Sequence, residues 1–196
     1  MLTCAFSVTS YIKGKDVMFV DPASVKMIQE KRLGPSCAGG ASGAIYRYLG
    51  INRDRAFPYE VKAAVQHESD AGYKKYGDTH VIHTVGPDFK LDLNLKRKEA
   101  VEKLAKTYKN IFTIAAQVGR HELRLLPVSG GIFSGKFRAD MPGMTAEAII
   151  KGYKMLSEWL RACIRIDITV KLCIFGGDQE AHAYGTQLKA AVAKYG

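Results

Sequence analysis

The sequence predicts an α/β protein, a three-layer α/β/α sandwich around a mixed, largely parallel sheet. Short β-branched or aromatic runs alternate along the chain with longer amphipathic segments of helical period. Strands that alternate with helices are joined by crossovers, so the sheet is largely parallel and both of its faces are covered. Composition agrees: 47% hydrophobic and 24% charged residues is ordinary globular usage, which excludes a disordered, collagen-like or disulfide-dense chain. A length of 196 residues fits one domain over 1–196.

The elements follow in order. Residues 2–8 and 17–20 read as strands, separated by a turn at Lys13-Gly14-Lys15-Asp16. Helices are expected over 42–49 and from Pro58 to about His67, then a strand over 80–85 closed by Gly86-Pro87. Val101, Leu104, Ala105, Tyr108, Ile111, Phe112 and Ala115 form one stripe of a long helix. Lys96, Lys98, Lys103, Lys106 and Lys109 fall elsewhere on it and read as a solvated face. Residues 123–128 are a strand closed by Ser129-Gly130-Gly131. Ile149, Gly152, Tyr153, Leu156, Leu160 and Cys163 read as one further helical stripe, with Pro142 and Thr145 as start signals. The alternation over 164–172 is longer than a usual strand of about five or six residues, so part of it is connector. The last strand ends at Cys173-Ile174-Phe175, and a last helix follows Gly176-Gly177.

The balance of 29 Lys+Arg against 19 Asp+Glu gives a formal charge of +10, which favours a polyanionic partner such as a phosphorylated ligand or nucleic acid. Each half of the chain carries +5, so no basic arm separates from the body. Cys4, Cys37, Cys163 and Cys173 contain no C-x-x-C pair and indicate neither a zinc site nor a disulfide framework. Free, mostly buried thiols suit a reducing compartment. Apolar runs fall short of the ~20 residues of a membrane span, and Met-Leu-Thr-Cys-Ala-Phe lacks the start of a signal peptide. The expectation is an intracellular protein of cytoplasm or nucleus, not secreted, with no membrane association, metal or cofactor.

Two glycine clusters sit where α/β sheets bind ligands, just past strand ends. The first, Gly34 through Gly39-Gly40-Ala41-Ser42-Gly43-Ala44-Ile45, runs into a helix. Glycines let backbone approach an anion, and free N–H groups at a helix start carry positive partial charge. A flexible crossover loop is the competing explanation. The second, Val128-Ser129-Gly130-Gly131-Ile132-Phe133-Ser134-Gly135-Lys136, adds hydroxyls and, with Arg138, two cations. Two such loops suit a pyrophosphate. Neither matches the P-loop or the dinucleotide fingerprint. The five histidines lack metal spacing, and His83 reads as a core histidine inside a strand. Asp21, before Pro22, reads first as a strand-end residue satisfying turn backbone, and Phe175 is open between core packing and stacking on a base.

In order, these segments resemble the macrodomain family. Val20-Asp21-Pro22-Ala23-Ser24 stands where the family has V-N-A-A-N, and Gly39-Gly40-Ala41-Ser42-Gly43-Ala44-Ile45 where it has G-G-V-A-G-A-I. Val81-Ile82-His83-Thr84-Val85-Gly86-Pro87 agrees throughout, and Pro127-Val128-Ser129-Gly130-Gly131-Ile132-Phe133 parallels P-x-[IL]-S-[TA]-G-[IV]-[FY]. The resemblance implies the α/β/α sandwich and ADP-ribose as ligand. Gly39, Gly40, Ser42, Gly43 and Ala44 would wrap the distal ribose and one phosphate. Ser129, Gly130, Gly131, Ile132, Phe133 and Ser134 would take the pyrophosphate, and Phe175 the adenine. Where hydrolytic members place the second Asn, this chain has Ser24, a hydroxyl in place of an amide. The adenine-binding Asp of many members falls near Ser10, where there is no carboxylate. Three readings follow. The first is a binder of ADP-ribose or ADP-ribosylated protein. The second is a hydrolase removing ADP-ribose from protein or phosphate from ADP-ribose 1''-phosphate, with Ser24 and Asp21 as candidate catalytic residues. The third is an RNA or poly(A) binder.

Overall fold

β2 (Val17–Ala23) is apolar on both sides, so it must be covered on both. Its Met18 and Val20 enter one hydrophobic cluster, its Phe19 and Ala23 another, and the two clusters lie on opposite faces of the sheet. The computed structural model describes residues 2–5, 16–174 and 178–195. Around β2 it places β1 (Leu2–Ala5), β3 (Ala71–Tyr76), β4 (Thr79–Val85), β5 (Glu122–Leu125) and β6 (Thr169–Cys173) in one six-stranded sheet of order β1-β6-β5-β2-β4-β3. All neighbours are parallel except β3 and β4. The mixed, largely parallel α/β sandwich expected from the sequence is the observed fold.

One face carries α1 (Val25–Gln29), α2 (Gly40–Leu49) and α3 (Tyr59–Ala64), whose Ile28, Ile45, Tyr46 and Val61 pack on Phe19, Val81 and Val85. The other carries α4 (Arg97–Val118), α5 (Met141–Lys154), α6 (Glu158–Asp167) and α7 (Asp178–Tyr195). α4 is the predicted long helix. Glu99 accepts the Lys96 N–H at its start, Gly119 ends it in the left-handed region, and Val101, Leu104, Tyr108, Ile111 and Phe112 are buried. Lys96, Lys98, Lys103 and Lys106 face solvent, as expected, whereas Lys109 is half-buried.

The structure differs from the sequence reading at several places. β3 (Ala-Gly-Tyr-Lys-Lys-Tyr) has no apolar run because it is an edge strand, where lysines are tolerated. The stripe through Ile149 and Cys163 is two helices, not one. Ser157 adopts extended backbone and caps α6 by accepting from Leu160 N–H, which breaks the path after Lys154. The second expected helix is shorter than 58–67, because Val65, with φ of -123° and ψ of 85°, has already left helical backbone. Within 164–172, helix continues to Asp167 and β6 starts at Thr169, so the expected connector shrinks to Ile168. Residues 6–15 and 175–177, including Ser10, the Lys13-Gly14-Lys15 turn and Phe175, lie outside the described residues. Among the thiols described, Cys173 is buried but Cys37 is exposed, against the expectation of burial. No described helix is long and apolar enough to cross a membrane.

α4 and α5 approach closely at Gly152, where a Cβ would lie 2.7 Å from Ala105 O and 2.9 Å from Tyr108 Cβ. Backbone cannot yield there without separating the helices. Gly152→Ala is therefore expected to lower stability by about 1–3 kcal/mol, read as a lower urea midpoint at unchanged m-value.

Candidate functional site

β2, β5 and β6 are neighbours, and beyond their carboxyl ends lies a cavity of about 490 Å³. The chain leaves β2 toward β4 on one side and returns to β5 on the other, the point where α/β sheets open a crevice. Pro22, Ala23 and Ser24 continue β2 into the wall, Leu126 and Pro127 continue β5, and Ile174 continues β6. Both glycine loops reach it. Gly39, Gly40, Ala41 and Ser42 come from the first, and Ser129, Gly130, Gly131, Ile132 and Phe133 from the second.

The first loop delivers the start of α2. Gly39 is its N-cap with no side-chain cap, so the opening N–H groups of a ten-residue helix are left without partners from the helix itself. Gly43 and Ala44 do not line the cavity. A Cβ at Gly43 would sit 2.6 Å from Ala38 O, so this glycine lets the helix close on its own loop.

The second loop is held from behind. Ser129 has φ of 60° and donates its hydroxyl to Pro87 O at 2.6 Å. A Cβ on Gly86 would lie 2.2 Å from Val128 Cγ1, so Gly86-Pro87 can back this loop only as glycine. A non-glycine residue in the left-handed region costs roughly 1 kcal/mol or more, and such strain concentrates at ligand sites. Ser134 does not reach the cavity: it is buried and donates its hydroxyl to Gly131 O at 2.8 Å, closing the loop on itself. Lys136 also turns away, its ammonium on Leu93 O, whereas Arg138 lines the cavity.

Sequence reasoning missed Met27, Glu180 and Tyr184 in the wall. The last two lie one turn apart on α7, and the buried series Ala181, Tyr184, Leu188, Ala191 would have shown which face of that helix turns inward. Tyr184 packs against the second loop, its hydroxyl 3.2 Å from where a Gly130 Cβ would stand. Burial first, then the Glu180 charge, push its phenol up to about 12, so it remains a hydrogen-bond donor at neutral pH. Arg138 and Glu180 are the cation and the acid among the described lining residues.

The two candidate catalytic residues are placed differently. Ser24 lines the cavity, but its hydroxyl oxygen accepts the Met27 N–H at 3.1 Å as N-cap of α1, leaving its proton to donate. Asp21 is fully buried beneath the wall, because alternation in β2 turns it to the α2 face. It stands opposite His83 in the β2–β4 register. Asp21 Oδ2 accepts from Tyr46 OH at 2.5 Å and lies 2.7 Å from His83 Nδ1; His83 Nε2 lies 2.9 Å from Tyr76 OH. A ring protonated at Nδ1 donates to the carboxyl group and accepts from Tyr76. His83 is thus a satisfied core histidine. Burial, then the Asp21 charge, hold the Tyr46 phenol well above its ordinary range, so it stays a donor. Asp21 Oδ1 is buried with no hydrogen-bond partner among the described residues. Among those residues no three His, Cys, Asp or Glu converge as metal ligands.

The Macro domain family model matches residues 36–140, which carry α2, β4, β5 and both glycine loops. The chain belongs to the macrodomain family. Among solved structures, this macrodomain is similar to a Trypanosoma brucei macrodomain in complex with ADP, at 16% identity and TM-score 0.59, over 95% of this chain and 67% of that one. An Oceanobacillus iheyensis macrodomain with MES bound matches at 17% identity and TM-score 0.61, over 93% of this chain and 88% of that one. An alphavirus P23pro-zbd structure matches at 17% identity and TM-score 0.62, over the whole of this chain but 24% of that one. At these identities the likeness is one of fold. No curated protein matches the chain.

Tyr46 ties α2 of this macrodomain to β2 through the buried Asp21 carboxyl group. Tyr46→Phe leaves that group with one donor fewer and nothing to replace it, so unfolding free energy should fall by about 1–3 kcal/mol in urea titration.

Proposed function

We propose that this macrodomain binds ADP-ribose, free or attached to protein, and that residues 1–196 act as one binding domain. What carries the reading is the convergence of the open α2 start and the strained second loop on one cavity, at about the size of small-ligand pockets. A pyrophosphate there takes backbone N–H groups from both loops, with Arg138 supplying the counter-charge. Leu126, Ile174, Met27 and Phe133 offer apolar surface for ribose and base. The Trypanosoma brucei macrodomain has been solved with ADP and with ADP-ribose, and the Oceanobacillus iheyensis one with ADP. The binding reading is favoured over hydrolysis by Asp21, which lies under the wall and away from the cavity surface.

Gly131 gives a test that separates site from fold. A Cβ there meets nothing within 4 Å, so Gly131→Glu adds a carboxylate at the cavity without an internal clash. Two like charges about 4 Å apart repel by about 4 kcal/mol at an effective dielectric of 20. Calorimetry should give at least micromolar affinity for ADP-ribose, reduced more than about hundredfold in Gly131→Glu at unchanged melting temperature. Equal binding by the two proteins would place the ligand elsewhere.

Hydrolysis of a mono-ADP-ribosylated acidic peptide should be slow or absent, and Ser24→Asn should raise it. Asn is an equally good N-cap, so α1 survives the change, and its amide has both a donor and an acceptor with which to hold ribose and water. Gaining one positioned contact is worth about 10²–10³ in rate. A single-turnover release assay checks it. Fast release by the unsubstituted protein, lost in Ser24→Ala, would make the chain an enzyme.

A further inference from the structure

Beside the cavity, three large aliphatic side chains project into solvent: Leu91 is 84% exposed, Leu93 76% and Ile132 81%. They lie on two loops joined edge to edge. Phe89 N–H donates to Phe133 O at 2.9 Å, the Lys90 ammonium sits 5.2 Å above the Phe133 ring, and the Lys136 ammonium bonds Leu93 O. A Cβ on Gly135 would be 2.8 Å from Phe89 O, so the loops are in full contact. Ile132 and Phe133 belong at once to this ridge and to the cavity wall. The ridge therefore begins where the cavity opens.

Leu91 and Leu93 lie outside the cavity wall and so offer nothing to a nucleotide held there, and exposing several large apolar side chains together marks a contact surface. The charges beside them are unequal in availability. Asp88 and Asp92 each accept a backbone N–H of their own turn, from Lys90 and Asn94. Asp88 also faces the Lys90 ammonium at 3.7 Å, while Arg138 is exposed at the cavity edge. The surface is thus apolar, with Arg138 at its cavity edge and the exposed Asp92 between its two leucines.

We propose that the paired loops 88–95 and 129–136 form a docking lip for the polypeptide that bears an ADP-ribosyl group, and that they recognise apolar side chains flanking the modified residue. The inference rests on the ADP-ribose reading of the cavity. Continuity argues for the occupant: Ile132 and Phe133 belong to the cavity wall and to the ridge at once, so a polypeptide attached to a group in the cavity lies within reach of the lip.

The test compares free ADP-ribose with a peptide bearing one ADP-ribosylated glutamate flanked by leucines, and with the same peptide unmodified, by calorimetry on the full chain. Leu91→Ser/Leu93→Ser changes two exposed residues outside the cavity wall, and its melting temperature serves as the folding control. The modified peptide should bind about tenfold tighter than ADP-ribose. The double variant should lose that margin and keep its affinity for ADP-ribose. Leu91→Glu should weaken the peptide alone by placing a charge that must be desolvated against its leucines. Equal affinity for peptide and ADP-ribose in the unsubstituted protein, or equal loss of both in the variant, overturns the lip and leaves the cavity reading standing. Absence of ADP-ribose binding overturns the cavity reading, and the lip with it. A dimer in sedimentation that the double variant abolishes would reassign the surface to a second copy of the chain and also overturn the proposal.

Discussion

The parallel register of β2 between β4 and β5 is the constraint on which the site depends. It aligns Asp21 with His83 and Phe19 with Val81, so the buried polar group and the apolar core around it are fixed by the same pairing. A slip of one residue would turn Asp21 to the α4 face and Met18 to the α2 face, leaving a carboxyl group among aliphatic side chains. With the register set, Pro22, Ala23 and Ser24 can emerge only at the carboxyl end, under the start of α2. Tyr46 then couples the helix to the strand, and ring contacts from Phe57 to both Tyr46 and His83 exclude water from the link.

Much of this was legible in the sequence because it was written in periodicity. The stripe through Val101, Tyr108 and Phe112 specifies a helix whatever surrounds it, and the apolar run ending at Val85 specifies a strand covered on both faces. Glycine loops after strand ends likewise pointed to the ends of β2 and β5. What escaped was decided by tertiary context. Lys74 and Lys75 conceal β3, because an edge strand needs no hydrophobic run once a neighbour supplies its ladder. Spacing alone cannot separate α5 from α6, since the stripe stays in phase across Ser157. Gly43 and Gly131 look alike in a motif, and only their surroundings show that one is packed against Ala38 O and the other is open.

The net charge of +10 does not reappear as a basic cavity. Arg138 is the cation in its described wall, and much of the remaining positive charge sits on solvent-facing helix positions such as Lys98, Lys103 and Lys106 or in pairs such as Lys151 with Glu102. Backbone dipoles at the start of α2 and through the second loop supply the local field instead. Such dipoles are fixed in direction and cost no side-chain entropy to aim, so the pocket can favour an anion of defined shape over anions in general.

α7 closes the cavity with Tyr184 and Glu180, yet it is fastened to the rest mainly through α5 and the edge strand β1. Any molecule that touches this wall and the glycine loops together is bound only while the helix is seated. Occupancy and the docking of this helix are then a single equilibrium. Filling the cavity draws the helix down by mass action, and loosening the helix lowers affinity by the fraction of time it is away. A partner that gripped the outer face of α7 could therefore regulate the pocket without ever entering it.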